Sequence, residues 1–192
     1  MLRSLYDWTM RLAASRNALA ALATVAFIES SVFPIPPDIL LIPMVLAARE
    51  KAWRYAAVAT LASVAGGFLG YAVGYYLFAA LGRPILEFYG AMARYDAMQQ
   101  AYAHWGAWII VLKGMTPIPY KIVTIASGAF HFPLLAFGVA SLVSRAMRFF
   151  LVAALLYIFG EPVRVFIEKR LALVTSAFVI LVVGGFVAVA YL

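Results

Sequence analysis

The sequence contains no cysteine, little charge and no long hydrophilic stretch. Because cysteine is missing, disulfide bonds, thiolate metal sites and cysteine nucleophiles are excluded. Only 12% of the residues are charged, whereas soluble domains contain roughly a quarter. No polar segment is long enough to form a second, soluble domain.

Apolar residues dominate what is present, at 66% of the 192 residues. This composition predicts an integral membrane protein with one membrane domain over 1–192, since each crossing helix needs roughly 20 apolar residues. The net charge of +7 fits either the positive-inside bias of membrane proteins or attraction to anionic lipid headgroups. The basic residues are dispersed among apolar segments, so we expect no nucleic-acid partner.

Four charged residues lie inside strongly apolar sequence: Glu29, Asp38, Lys113 and Lys121. A charge at the centre of a bilayer costs about 3 kcal/mol on insertion scales, so such residues pair, meet water or serve a function. They flank proline clusters in F-I-E-S-S-V-F-P-I-P-P-D-I-L-L-I-P (27–43) and L-K-G-M-T-P-I-P-Y-K-I-V-T-I (112–125).

The two proline clusters predict two interrupted membrane segments. Proline lacks an amide donor and clashes with the preceding helical turn, so each cluster separates two short apolar arms. Irregular backbone at membrane depth is tolerated only inside protein or beside a water cavity, which favours re-entrant hairpins. The hairpin-breaking residues are Pro34, Pro36, Pro37, Pro117 and Pro119.

The other segments are predicted to be helices. Residues 55–81 and 134–159 are long enough to span the membrane, as is the uncharged run 171–192. Residues 1–16 suit an interfacial amphipathic helix, and the polar stretch 82–104 suits the surface or interface. Gly66, Gly70 and Gly74 share one helical face, which permits close approach of another helix within the chain or in a homodimer.

Short repeats indicate a duplicated architecture. Pro-Ile-Pro occurs at 34–36 and 117–119, and Gly-x-Pro at 82–84 and 160–162. We therefore predict a first repeat over about 18–84, a second over about 105–162, and an extra terminal helix over about 171–192. The positive-inside rule is best satisfied if the N-terminus is cytoplasmic and the C-terminus lies outside. In this orientation the two repeats enter the membrane from opposite faces, so they are inverted, as in many transporters.

The predicted fold is therefore an all-α integral membrane protein. It is an inverted repeat with two facing, proline-broken re-entrant hairpins, long transmembrane helices and interfacial amphipathic helices.

The charged residues allow a structural and a functional interpretation. Glu29 and Asp38 pair structurally with Lys113 and Lys121, or they act as proton-coupling groups, because burial favours the neutral form of a carboxyl group. Lys113 and Lys121 flank the second break, where they would meet a substrate phosphate.

Two further basic residues and two histidines remain. Arg145 and Arg148 lie three residues apart on one helical face. They are candidates for phosphate binding, for salt bridges or for snorkelling to the interface. His104 and His131 lack metal-ligand spacing, so no metal site is predicted.

These motifs resemble the DedA family, also called the VTT or "SNARE-associated" domain, and especially its YqaA-type branch. In that family a glutamate precedes a proline-rich turn that ends in an acidic residue, positions matched by Glu29 and Asp38. K-G-M-T-P-I-P-Y-K resembles the second family signature, where two basic residues, here Lys113 and Lys121, flank a proline. The helix S-R-A-M-R-F-F-L-V-A-A-L-L-Y-I-F-G matches at Arg145 and Arg148. The family usually has arginines in its second signature, and lysine lacks the bidentate fork.

The resemblance implies a lipid transporter of flippase or scramblase type in the bacterial inner membrane. It would move a phosphate-bearing lipid, such as undecaprenyl phosphate or a phospholipid, with coupling to protons. The alternative is a proton- or cation-coupled exporter of small solutes that maintains membrane potential. The expected partners are membrane lipids with anionic or phosphate-bearing headgroups, and protons or cations. No enzymatic activity and no cofactor are expected.

Overall fold

A computed structural model describes residues 17–31, 36–114 and 120–169, without the side chains of 113–114, 161 and 163–169. Every regular element within these ranges is helical, so the all-α prediction is confirmed there. The predicted helices at 1–16 and 171–192 lie outside the described residues, as do Pro34, Pro117 and Pro119. The described helices are α1 (Ala18–Ser31), α2 (Asp38–Ala47), α3 (Ala52–Leu77), α4 (Arg83–Phe88), α5 (Met92–Gly114), α6 (Tyr120–Ala129) and α7 (Leu134–Lys169).

The first proline cluster separates two short helices. Helix α1 has 14 residues and α2 has 10, so at 1.5 Å per residue neither reaches the roughly 30 Å of a bilayer core. Pro36 and Pro37 precede α2, and the Pro37 carbonyl accepts hydrogen bonds from the backbone N–H groups of Leu40 at 3.0 Å and Leu41 at 2.9 Å. Proline suits this position because the first helical turn needs no amide donor.

Among the described residues, two helical segments are long and apolar enough to cross a membrane, Arg49–Phe88 and Leu134–Gly160. Helix α3 packs against α1, α6 and α7, while α7 also packs against α2 and α5. The two long helices therefore hold the shorter ones together.

The glycine face of α3 packs within the chain. A Cβ at Gly66 would overlap the backbone carbonyl of Phe27 in α1, and one at Gly74 would overlap the carbonyl of Ile125 in α6. At Gly70 it would meet the hydroxyl of Thr124, so glycine is the residue that permits these approaches. The face is buried by α1 and α6, which leaves it no room for a second copy of the chain.

The buried apolar residues form two clusters. The first combines α1, α2 and the first half of α3 with Phe149, Ala153 and Leu156 of α7. The second combines α5 and α6 with Phe137 and Ala140, at the beginning of α7. Helix α7 thus joins both clusters, and its residues between Ala140 and Phe149 lie between them.

The predicted helices 55–81 and 134–159 do not end just before the Gly-x-Pro sequences, as their predicted bounds implied. Helix α7 bends at Phe159 (φ −107°, ψ 17°) and continues past Pro162 to Lys169. Likewise, α3 continues through a π-helical turn at Phe78–Gly82 into α4, whose second residue is Pro84. Proline prevents one backbone hydrogen bond and crowds the preceding turn. The chain absorbs this locally by bending or widening the helix.

The glycine contacts generate a stability prediction. Gly66→Ala should lower the free energy of unfolding by about 1–3 kcal/mol, the usual cost of overpacking, because the new methyl group meets backbone that cannot rotate away. Thermal unfolding of the purified protein in detergent micelles measures the change.

Gly67→Ala is the matched control in the same helix. Its Cβ would lie 3.4 Å from the Thr124 Cγ2 atom, an ordinary contact, and alanine favours helix over glycine. This variant should unfold at or above the wild-type temperature. Equal destabilisation by both substitutions would contradict the packing role of Gly66.

Candidate functional site

A layer of buried polar side chains lies between the two apolar clusters. Polar groups survive burial only when they are hydrogen-bonded or paired, so this layer is costly without mutual contacts or a bound partner. It draws on α1, α3, α6 and α7. Its buried members are Glu29, Ser30, Ser31, Thr60, Ser63, Thr124, Ser127, Ser141, Ser144 and Arg145.

An ion pair between α1 and α7 lies at the centre of the layer. The Arg145 Nη2 atom donates to the Glu29 Oε2 atom at 3.2 Å, and the side chains are only 1% and 11% exposed, respectively. Removing either partner would leave a buried charge uncompensated.

A second ion pair joins α2 to α7. The Arg148 Nη2 atom donates to the Asp38 Oδ2 atom at 2.6 Å, with 26% of the arginine and 13% of the aspartate side chain exposed. Arg145 and Arg148 are three residues apart, so one face of α7 meets an acid from each arm of the broken segment. The two acids and two arginines cancel in charge.

The Glu29 carboxylate is also held by hydroxyl groups. The Ser30 hydroxyl lies 3.2 Å from the Glu29 Oε2 atom and 2.6 Å from the Ser63 hydroxyl on α3. A serine hydroxyl carries a single proton, so when Ser30 donates to Glu29, Ser63 donates to Ser30. Thr124 on α6 donates to the Ser30 carbonyl at 3.1 Å, which ties three helices to this turn of α1.

The Arg145 guanidinium is enclosed between two aromatic rings. Its central carbon lies 4.6 Å from the centroid of the Tyr120 ring and 4.7 Å from that of Phe149. Both faces of the cation are thus covered, and the rings stabilise it by cation–π attraction. Only the edges of the guanidinium plane remain for hydrogen bonding.

Several buried polar atoms around Arg145 make no hydrogen bond to the described part of the chain. They are Arg145 Nε and Nη1, Asp38 Oδ1, Tyr120 Oη and Ser141 Oγ. Their grouping on α2, α6 and α7 marks this part of the layer as chemically unsatisfied.

The structure brings together four of the six charged residues predicted for the site: Glu29, Asp38, Arg145 and Arg148. Both carboxylates contact arginines, whereas the sequence first suggested lysines for them. Lys121 is half-buried in the first turn of α6, and the side chain of Lys113 lies outside the described part. Whether these residues couple protons or bind phosphate stays a prediction.

Sequence reasoning missed the residues that surround these charges. Ser141, Ser144, Arg145 and Arg148 follow the spacing of one helical face, so the polar stripe on α7 was readable. Ser30 directly follows Glu29 and was also readable. In contrast, no pattern indicated Ser63, since a serine in an apolar helix is common.

The histidines take no part in this layer. His131 follows α6 in a left-handed conformation (φ 55°) and contacts the Tyr75 ring edge to face, while His104 lies against Trp105. Within the described ranges, no three His, Asp or Glu side chains are grouped as metal ligands.

Comparison with known proteins places this arrangement in a family. Residues 12–158 match the VTT domain, a stretch that includes both ion pairs and both broken segments. The chain belongs to the VTT-domain family. VTT-domain proteins are membrane proteins, so the apolar helices of this member are membrane helices.

Two relatives share most of the VTT-domain chain. An uncharacterized protein of Haemophilus influenzae is 34% identical over 180 residues, which cover 94% of this chain and 93% of the relative. An uncharacterized homologue from Histophilus somni is 35% identical over 152 residues, 79% of each chain. No solved structure matches the chain.

The buried pair generates a double-mutant prediction. Arg145→Met alone should lower the free energy of unfolding by about 3–5 kcal/mol, because Glu29 is left buried and unpaired. Combining it with Glu29→Leu should recover most of that loss, since both charges are then gone. Thermal unfolding in detergent micelles measures all four members of the cycle.

Arg83→Ala provides the control for this cycle. Arg83 pairs with Glu87 at 2.9 Å on an exposed surface of α4, and exposed pairs contribute little, so unfolding should change little. A double variant whose loss equals the sum of the single losses would show that Glu29 and Arg145 do not interact energetically.

Proposed function

We propose that this VTT-domain protein moves a phosphate-bearing lipid, such as undecaprenyl phosphate or a phospholipid, across the bacterial inner membrane. The observation that carries the proposal is the buried ion pair Glu29–Arg145, together with the half-buried ion pair Asp38–Arg148, between two apolar clusters. We assign it no enzymatic reaction and no cofactor, because in this proposal the charged residues of the layer bind the phosphate headgroup and then release it.

The helix packing supports two facing re-entrant hairpins related as an inverted repeat. Helices α1 and α2 precede the long helix α3, just as α5 and α6 precede the long helix α7. Each short helix after a break packs on the long helix of the other half, α2 on α7 and α6 on α3. Such packing of each half on the other is expected for two hairpins that enter the membrane from opposite faces. The substrate site then lies where the two hairpins meet.

The charge balance of the layer couples phosphate binding to proton uptake. The two described ion pairs sum to zero, so a phosphate entering the layer adds a buried negative charge. A proton taken up by Glu29 or Asp38 cancels that charge and frees an arginine. The Glu29 carboxylate contacts Arg145 on α7 and its neighbour Ser30, whose hydroxyl in turn contacts Ser63 on α3.

Basic residues would receive the phosphate in this scheme. Arg145 and Arg148 present planar guanidinium groups suited to phosphate oxygens. Lys113 and Lys121 flank the second break and attract the headgroup as point charges. Release follows when Glu29 and Asp38 lose their protons and reclaim the arginines.

The distribution of basic residues along the sequence favours a cytoplasmic N-terminus and a C-terminus outside. Membrane lipids with anionic or phosphate-bearing headgroups are the expected partners, together with protons. The proline-rich signature around Glu29 resembles that of the YqaA-type branch, which supports assigning the chain to it.

The transport experiment uses the full chain reconstituted in liposomes, with labelled phospholipid and polyprenyl phosphate tested in parallel. Glu29→Gln should slow lipid movement at least tenfold and abolish its response to a pH gradient, because glutamine accepts the hydrogen bond from Arg145 but takes up no proton. Lys121→Ala should also slow movement by weakening phosphate attraction. The rate of label transfer between leaflets is the measurement.

Glu87→Gln is the control, since Glu87 is an exposed carboxylate on α4 and should transport at the wild-type rate. Wild-type movement by Glu29→Gln would refute proton coupling through Glu29. If the folded wild-type protein moves no lipid but carries a cation or small solute, the exporter alternative replaces the lipid transporter.

A further inference from the structure

The edges of the buried Arg145 guanidinium are only partly used by the fold. Nη2 donates to Glu29, whereas Nε and Nη1 donate to no described residue. Arg145 is completely buried, and a buried donor without an acceptor is among the costliest features a fold can carry. Because Tyr120 and Phe149 cover both faces, an acceptor reaches the cation only in its plane.

Two buried hydroxyl groups lie near this cation, one on α6 and one on α7. The Tyr120 ring stacks on the guanidinium, and its hydroxyl is close to that of Ser141, one helical turn before Arg145. Both hydroxyls are buried, and neither makes a well-formed hydrogen bond to a described residue. Four buried groups that can donate hydrogen bonds, from neighbouring residues of α6 and α7, therefore lie in this part of the polar layer.

The hydrogen-bonding groups of Arg145, Tyr120 and Ser141 are suited to bind an oxyanion. Guanidinium nitrogens only donate, while hydroxyls donate or accept, so the set offers more donors than one water molecule can accept. A phosphate group has several acceptor oxygens and matches the planar guanidinium edge. The aromatic rings on either side keep that edge in place.

We propose that Tyr120, Ser141 and the free edges of Arg145 form a pocket for a single phosphate group. The pocket is the headgroup subsite of the transported lipid, and in that respect it rests on the proposed function. The two hydroxyls are its new elements: they lie close to each other, and neither makes a well-formed hydrogen bond to a described residue.

The test measures phosphate binding to the purified full chain in maltoside micelles, which contain no phosphate. Inorganic phosphate and a short-chain phosphatidic acid are titrated separately by calorimetry. Tyr120→Phe and Ser141→Ala should each weaken binding of the phosphatidic acid about tenfold, the usual consequence of losing a hydrogen bond to a charged group. Neither variant should unfold at a lower temperature than wild type.

Matched controls come from hydroxyls that the fold does use. Tyr102 is a buried tyrosine bonded to Ser127 at 2.7 Å, and Ser144 donates to the Val111 carbonyl at 3.2 Å. Tyr102→Phe and Ser144→Ala should unfold at lower temperature yet bind phosphate like wild type. The expected pattern is thus opposite for the two pairs of variants.

Wild-type binding of the ligand by both Tyr120→Phe and Ser141→Ala would overturn the pocket, as would failure of the wild type to bind either probe. Tighter binding of the phosphatidic acid assigns the pocket to a lipid headgroup, whereas tighter binding of inorganic phosphate would overturn that assignment. Lipid movement is measured separately in liposomes. If lipid moves but Tyr120→Phe and Ser141→Ala both bind the phosphatidic acid like wild type, the pocket alone is refuted. If binding depends on the two hydroxyls but the wild-type protein moves no lipid, the proposed function alone is refuted.

Discussion

Complete burial of the Arg145 guanidinium is the constraint on which the described structure depends. An arginine remains charged in a protein, and an unpaired charge in an apolar interior is prohibitive. The fold therefore brings Glu29 from 116 residues away and places an aromatic ring on each face of the cation. These contacts fix where α1, α6 and α7 meet, and the remaining polar layer is arranged around them.

The glycine face of α3 makes this meeting geometrically feasible. Gly66 admits the backbone of α1, and Gly74 admits that of α6, so both short helices lie close to α3. Between them, Thr124 donates to the carbonyl of Ser30, and Ser30 contacts both Glu29 and Ser63. Close backbone packing thus sets the position of the carboxylate, which links a packing motif to the chemistry of the site.

The energetics of the ion pairs agree with a transport role. A buried ion pair contributes little net stability, because desolvation offsets most of the attraction, while an unpaired charge is strongly destabilising. A site built from such pairs exchanges one partner for another at small net cost, provided that total charge is preserved. A phosphate together with a proton meets that condition for the neutral group of Glu29, Asp38, Arg145 and Arg148.

Much of this protein was determined by the sequence itself: its membrane class, the helical character of the described residues, the interruption between α1 and α2 at Pro36 and Pro37, and the residues whose charge demands a partner. Apolar composition, helical spacing and proline geometry act locally, so they can be read along the chain. Only the tertiary structure decided that the acids meet arginines, that Ser63 supports Glu29 and that the helix bends at Phe159 instead of ending. These outcomes depend on which helix faces are brought together across more than 100 residues, and local sequence carries no direct record of that packing.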